Sequence, residues 1–174
     1  MLKNITPSEC AQCRLCCIFD KYDVWETPVI SAELKVRIET AHPGMHFVSK
    51  GDSGAYIFNM ENTWDEEEEL YFCPALDRER GCILGENKPF DCKVWPYRIM
   101  RLGGALVISI ASICPVMYKK PLDTLVKELE DGLAEKIFRE AEMHPQIVKP
   151  YEQGYPILMV KEKETQDEDN QTLI

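Results

Sequence analysis

Two segments of the chain have the spacing of apolar residues that is typical of an amphipathic helix. The first covers residues 32–41; Ser31 is a suitable N-cap, and His42-Pro43-Gly44 ends it. The second runs from Pro121 to about Met143, with charged residues opposite its apolar face. That apolar face, which we interpret as core packing, consists of Leu122, Val126, Leu129, Leu133 and Ile137.

Strand patterns are shorter, and most are bounded by turn residues. The strongest is a hairpin in which residues 97–102 and 105–111 flank Gly103-Gly104. We predict further strands at 55–60, 70–73 and 155–160 and a short extended piece at 22–25. The acidic run 65–69 is interpreted as a solvated loop between two strands. A helical turn is expected near Cys92.

These elements predict an α+β fold: a small, irregular, cysteine-rich metal core with short antiparallel strands and peripheral helices. The chain has 174 residues, so we expect residues 1–160 to form one domain and 161–174 a disordered acidic tail. A domain of this size buries enough surface to fold without metal as a substitute for a core.

Charge and hydropathy restrict which partners the protein can bind and which cell compartment we expect for it. The net charge of −10 argues against nucleic acid, because phosphate binding needs a concentrated basic surface. The longest apolar stretch, residues 105–115, is too short to span a membrane. The first residues lack the pattern of a signal peptide, so we expect the cytoplasm, where cysteines stay reduced.

Four cysteines lie close together near the start of the chain: Cys10, Cys13, Cys16 and Cys17. Two cysteines separated by two residues can turn both sulfurs toward one centre, as in zinc knuckles and iron–sulfur sites. Three cysteines at this spacing resemble the ligand run of an iron–sulfur site more than a zinc knuckle. Adjacent side chains tend to diverge, so Cys16 and Cys17 indicate two centres, or one ligand beside a second thiol.

Four further cysteines follow: Cys73, Cys82, Cys92 and Cys114. Eight sulfurs satisfy two four-coordinate centres, or one centre with spare thiols. Three plainer interpretations remain open. Cys114 follows an apolar strand and suits a buried free thiol. A disulfide scaffold is disfavoured by the expected compartment. A metal that only staples the fold is the third.

The cysteine blocks together resemble the CxxCxxCC family of zinc- or iron-chelating proteins over about residues 10–115. The resemblance implies that all eight cysteines are metal ligands. Lys88 and Lys93 stand where that family usually has arginine, which keeps the charge but loses the planar guanidinium. The blocks that carry the resemblance are 10–17 (CAQCRLCC), 73–76 (CPAL), 81–84 (GCIL) and 87–96 (NKPFDCKVWP).

Our leading hypothesis is a protein that holds an iron–sulfur cluster, with [4Fe–4S] favoured, for electron transfer or redox sensing with a protein partner. The alternative is a zinc protein with a structural, interaction or metal-carrier role. A third hypothesis is an iron-dependent enzyme. His46 is a minor candidate ligand, and the aromatic residues after Cys92 are expected to wall off the metal core.

Overall fold

The computed structural model describes residues 12–20, 27–111 and 113–161. The predicted extended piece at 22–25, residue Cys10 and nearly all of the predicted tail lie outside these ranges. Over the described residues the fold is mixed α+β with several short antiparallel strands, as predicted. The strands are β1 (Ile18–Phe19), β2 (Phe47–Ser49), β3 (Tyr56–Phe58), β4 (Trp64–Asp65), β5 (Leu70–Phe72), β6 (Leu76–Asp77), β7 (Gly81–Cys82), β8 (Tyr97–Leu102), β9 (Ala105–Ile110), β10 (Lys149–Pro150) and β11 (Ile157–Val160).

The helices are short, and the first is the one that the sequence predicts. They are α1 (Ala32–Ala41), α2 (Phe90–Val94), α3 (Pro115–Tyr118), α4 (Leu122–Glu128) and α5 (Ala134–Met143). Ser31 Oγ caps α1 by accepting the backbone N–H of Leu34 at 3.2 Å. His42 ends the helix, and its N–H donates to the carbonyl of Ile38 at 2.7 Å. The predicted α1 is therefore confirmed at both ends.

The predicted helix from Pro121 to Met143 is interrupted. A π-helical turn over Leu129–Leu133 separates α4 from α5, and Gly132 adopts φ of 103° within it. Residues other than glycine rarely adopt this conformation, so the chain changes direction there. Leu122, which we expected on the buried face, is exposed, whereas Leu125 is buried.

The predicted hairpin is confirmed and forms the centre of the larger sheet. Strands β8 and β9 pair antiparallel from Tyr97 opposite Ile110 to Leu102 opposite Ala105. The sheet has the order β10-β8-β9-β11, with β10 parallel to β8. Helices α4 and α5 contribute buried residues to the core that this sheet shares, including Leu125 and Ile137. We call this part, with its hydrophobic core, the sheet region.

The rest of the described chain consists of small sheets around a second hydrophobic core. Their orders are β1-β5-β4, β2-β3 and β6-β7. The second core includes Ile38, Phe58 and Met60. The acidic residues 66–69 connect β4 to β5, so the predicted loop between strands is confirmed for these residues, whereas Asp65 belongs to β4. We call this part the cysteine region.

A buried lysine ties the two regions together. Lys149 is only 3 % exposed, and its Nζ donates a hydrogen bond to the carbonyl of Thr27 at 2.9 Å. The same Nζ lies 4.0 Å from a carboxylate oxygen of Asp91. That oxygen also accepts the backbone N–H of Val29 at 3.0 Å. We call these four residues the Lys149 clamp.

Across the described residues, no helix has the length and apolar character needed to cross a membrane.

Candidate metal centre

Five cysteines from separate segments line one cavity in the cysteine region. The cavity has a volume of about 160 Å³, well above the roughly 10–15 Å³ that one water molecule requires. Its remaining walls are mostly apolar and include Phe19, Phe58 and Leu84. The cysteines, which together define the cysteine cavity, are Cys16, Cys17, Cys73, Cys82 and Cys92.

Cys16 and Cys17 reach the cavity from a tight turn. The 3₁₀ turn Leu15–Cys17 follows Arg14, which adopts φ of 57°. The two sulfurs lie 3.9 Å apart, and both cysteines line the cavity. The expectation that adjacent side chains diverge is therefore wrong here, because the 3₁₀ turn brings both sulfurs to the same side.

Cys73 is placed beside Cys17 by strand pairing. Strands β1 and β5 are antiparallel, with Ile18 opposite Phe72. The next pair along is Cys17 and Cys73, and the N–H of Cys73 donates to the carbonyl of Cys17 at 2.8 Å. Residues that are distant in sequence are thus held side by side by the backbone.

Cys82 enters from the small hairpin and Cys92 from α2. Cys82 lies opposite Leu76 in the β6–β7 pair. Cys92 lies in the first turn of α2, and its N–H donates to the carbonyl of Pro89 at 3.1 Å. Val94, at the other end of α2, is buried in the core of the sheet region. Helix α2 thus fixes Cys92 relative to both regions.

The thiols of the cavity influence one another's ionisation. Hydrogen bonding with Cys16 lowers the pKa of Cys17, but hydrogen bonding with Cys73, burial, and the nearby Cys73 and Cys82 outweigh it and raise that pKa well above its usual range. Burial is the main cause that raises the pKa of Cys92, followed by the charges of Cys16 and Cys17. Several thiolates in this cavity would repel one another without a cation between them.

The charged side chains that line the cavity are all basic: Arg14, Arg80 and Lys88. Arg80 donates from Nε and Nη2 to one carboxylate oxygen of Asp77, at 3.1 and 2.8 Å. The hydrogen bonds from Arg80 hold the pKa of Asp77 down at about 2. Neither Asp77 nor any other acidic residue is among the lining residues that the structure describes.

The other candidate ligands that the structure describes do not line the cavity. Cys114 is 5 % exposed and belongs to the core of the sheet region. Cys13 is partly buried but does not line the cavity, and Cys10 lies outside the described residues. His46 is exposed, and it too does not line the cavity. The structure therefore brings five of the eight cysteines together and leaves Cys13 and Cys114 apart from them.

No disulfide joins the seven cysteines that the structure describes. Within residues 12–20, 27–111 and 113–161, no three His, Cys, Asp or Glu side chains are arranged to hold a metal ion. The described arrangement is thus a cavity lined by thiols, and a metal core as such is not seen.

Sequence reasoning missed two of the basic residues in this site. Arg14 follows Cys13 directly and Arg80 lies two residues before Cys82, so each is close to a candidate ligand in sequence. Proximity of a basic residue to a predicted thiol ligand was the available signal.

No protein-family model, curated protein or solved structure matches this chain.

Proposed function

We propose that this protein binds metal through the cysteine cavity, as an iron–sulfur cluster used in electron transfer or redox sensing. One observation carries the proposal: five cysteines from separate segments line a single cavity. Cys73 belongs to the core of the cysteine region, and Cys17 and Cys82 pack against it, but five thiols around one cavity also supply the ligand set of a metal centre. The sequence resemblance to the CxxCxxCC family rests on the same cysteines and implies the same kind of ligand.

The donor chemistry favours a thiophilic metal. Zinc and iron–sulfur clusters bind cysteine thiolates, whereas magnesium and calcium require oxygen ligands, and none of the described lining residues is a carboxylate. The Cys16–Cys17 sulfur separation of 3.9 Å is close to the edge of a tetrahedral zinc–sulfur site. That edge is roughly 3.8 Å for Zn–S bonds of 2.3 Å. Zinc held by four cysteines is therefore the second candidate.

The charge distribution supports the larger, cluster-type occupant. A cluster held by four thiolates adds buried negative charge, which nearby cations stabilise. Arg14, Arg80 and Lys88 supply such cations along the wall. The cavity of about 160 Å³ is also larger than a single ion requires. Both observations favour a cluster over one zinc ion.

The residues around the cavity would set how a bound cluster behaves. A cluster supplies reversible one-electron transfer when bound. Phe19, Phe58 and Leu84 limit the access of water from the core side, and the three basic residues favour the more negative, reduced charge state. Removing a basic residue is therefore expected to lower the reduction potential.

The test begins with metal and acid-labile sulfide measured on protein purified without oxygen. Cys73→Ser is compared with Cys114→Ser, because both cysteines are buried, at 8 % and 5 % exposure, and both precede proline. We expect iron with matching sulfide in the unmodified protein and in Cys114→Ser. Cys73→Ser is expected to lose most of its metal.

The outcomes are separable. Stoichiometric zinc without sulfide, again lost in Cys73→Ser, would replace the cluster by the zinc alternative. Equal metal loss in both variants would include Cys114 among the ligands, as the family resemblance implies. An unmodified protein without metal, even after anaerobic loading with iron and sulfide or with zinc, would refute the proposed function.

A further inference from the structure

The wall of the cysteine cavity has the opposite charge to the molecule as a whole. The chain contains 30 acidic and 20 basic residues, for a net charge of −10. Within the described part of the chain, the cavity nevertheless has three basic lining residues, Arg14, Arg80 and Lys88, and no acidic one. A concave site lined by charge of one sign concentrates its field on a ligand of the other sign.

The three residues reach the cavity from separate parts of the chain. Arg14 precedes the 3₁₀ turn that carries Cys16 and Cys17, and its φ of 57° is unusual for a residue with a side chain. Backbone strain of this kind concentrates at binding sites. Arg80 directly precedes β7, which carries Cys82.

Lys88 is the most available donor of the three. It is partly buried and follows the 3₁₀ turn Gly85–Asn87, close to α2. Its ammonium group makes no hydrogen bond or ion pair with any residue in the described part of the chain. Its immediate sequence neighbour Pro89 is buried, which limits how far this backbone can move.

Arg80 is held in place for a similar role. Two of its nitrogens, Nε and Nη2, bind the Asp77 carboxylate, and Nη1 has no described partner. A guanidinium that is fixed on one edge presents its remaining N–H groups in a defined direction, at a reduced entropic cost for binding.

We propose that Lys88, Arg80 and Arg14 bind a small oxyanion, a carboxylate or a phosphate, beside the thiols of the cysteine cavity. The inference rests on the proposed function, in which the anion is a substrate or effector of the metal centre. Charge compensation of thiolates explains the cations in part. The unpartnered ammonium of Lys88 is what points to a separate ligand.

In the test, inorganic phosphate and citrate are titrated separately into the metal-loaded protein at low ionic strength. Calorimetry measures the affinity of each. Metal content is measured first for every variant. Lys88→Met should weaken binding of the preferred anion by on the order of tenfold or more, as expected for one charge-assisted hydrogen bond. Lys88→Arg should retain binding because it keeps the charge and the donors.

Arg139→Gln is the control, because Arg139 is exposed on α5 and pairs with Glu135 away from the cavity. It should bind the anion as the unmodified protein does. Saturation by phosphate alone, or by citrate alone, identifies the class of oxyanion. The absence of saturable binding to either, or equal affinity in Lys88→Met and the unmodified protein, would overturn the inference.

The same titration separates the two proposals. If the protein takes up no metal, the proposed function fails, and the titration is repeated on the reduced, metal-free protein. Saturable binding that is lost in Lys88→Met then still supports an anion site. Metal uptake without anion binding leaves the metal proposal standing and removes this one.

Discussion

The sheet region and the cysteine region differ in how much of their structure is regular. Strands β8 and β9 contain six residues each and pair along their whole length, over 16 buried core residues. The cysteine region has 10 buried core residues and strands of two or three residues. Strands this short are marginal in water on their own. The comparison indicates that hydrophobic burial holds the first region and that a cross-link through the cavity would add most to the second.

The largest expected effect is a loss of stability when a buried side chain in the core of the sheet region is shortened. Ile137 on α5 is fully buried, and Ile137→Ala should lower the free energy of unfolding by about 2–5 kcal/mol. The loss should be the same with and without metal, because Ile137 belongs to the core of the sheet region and does not line the cysteine cavity. Urea unfolding measures it.

Met143→Ala, at an exposed position on the same helix, is the control and should change stability by less than about 0.5 kcal/mol. If Ile137→Ala lowered the free energy of unfolding only in the metal-loaded protein, the stability of the sheet region would depend on the metal in the cysteine region.

Metal removal should affect the cysteine region selectively. Metal at about 100 times its Kd stabilises the folded form by about 2.7 kcal/mol. After chelation, the amides of Cys73 and Ile83, which donate to Cys17 and Ala75, should exchange roughly 100-fold faster with solvent.

The amides that pair β8 with β9 serve as the internal reference and should keep their protection. Uniform loss of protection across both regions would show that metal stabilises the whole molecule. Unchanged protection everywhere would show that the cavity adds no cross-link.

The connection between the regions depends on Lys149. Lys149→Met removes the hydrogen bond to Thr27 and leaves Asp91 without its lysine partner. We expect a loss of about 1.5–3 kcal/mol, the range for hydrogen bonds of charged groups. Thermal unfolding should also become less cooperative, with the cysteine region melting first.

Lys136→Met on the exposed face of α5 is the matched control and should be neutral within about 0.5 kcal/mol. A single transition in Lys149→Met, with unchanged midpoint, would contradict the role of the clamp.

The smallest effect is expected at the cap of α1. Ser31→Ala removes the acceptor for the N–H of Leu34 and should cost about 1 kcal/mol. Ser31→Gly should lower the free energy of unfolding by only a few tenths of a kcal/mol, since glycine also suits the N-cap position. Equal losses in both variants, measured by urea unfolding, would assign the effect to something other than the cap.

Local sequence patterns predicted most of the helices and strands, whereas contacts between distant segments determine which cysteines line the cavity. Gly103 and Gly104 both adopt positive φ, which is what a two-residue hairpin turn requires, so this hairpin was readable from sequence. The break at Gly132 was missed because the apolar spacing continues across it. A glycine inside a helical pattern was the warning sign.

The convergence of the cysteines could not be read from spacing alone. Cys17 and Cys73 meet through the pairing of β1 with β5, and no local pattern encodes that register. Cys114 has the same Cys-Pro signature as Cys73 but lies in the other core. Their difference arises from tertiary packing, which the sequence motif does not contain.

The Lys149 clamp joins residues that are synthesised at different times. Its two ends, Thr27 and Lys149, are separated by 122 residues in the chain. At a translation rate of about 5–20 residues per second, Lys149 is added roughly 6–24 seconds after Thr27. Cys16 and Cys17 therefore leave the ribosome well before the contact that secures their region can form. During this interval the nascent chain presents the thiols of Cys16 and Cys17 before the contact between Thr27 and Lys149 exists.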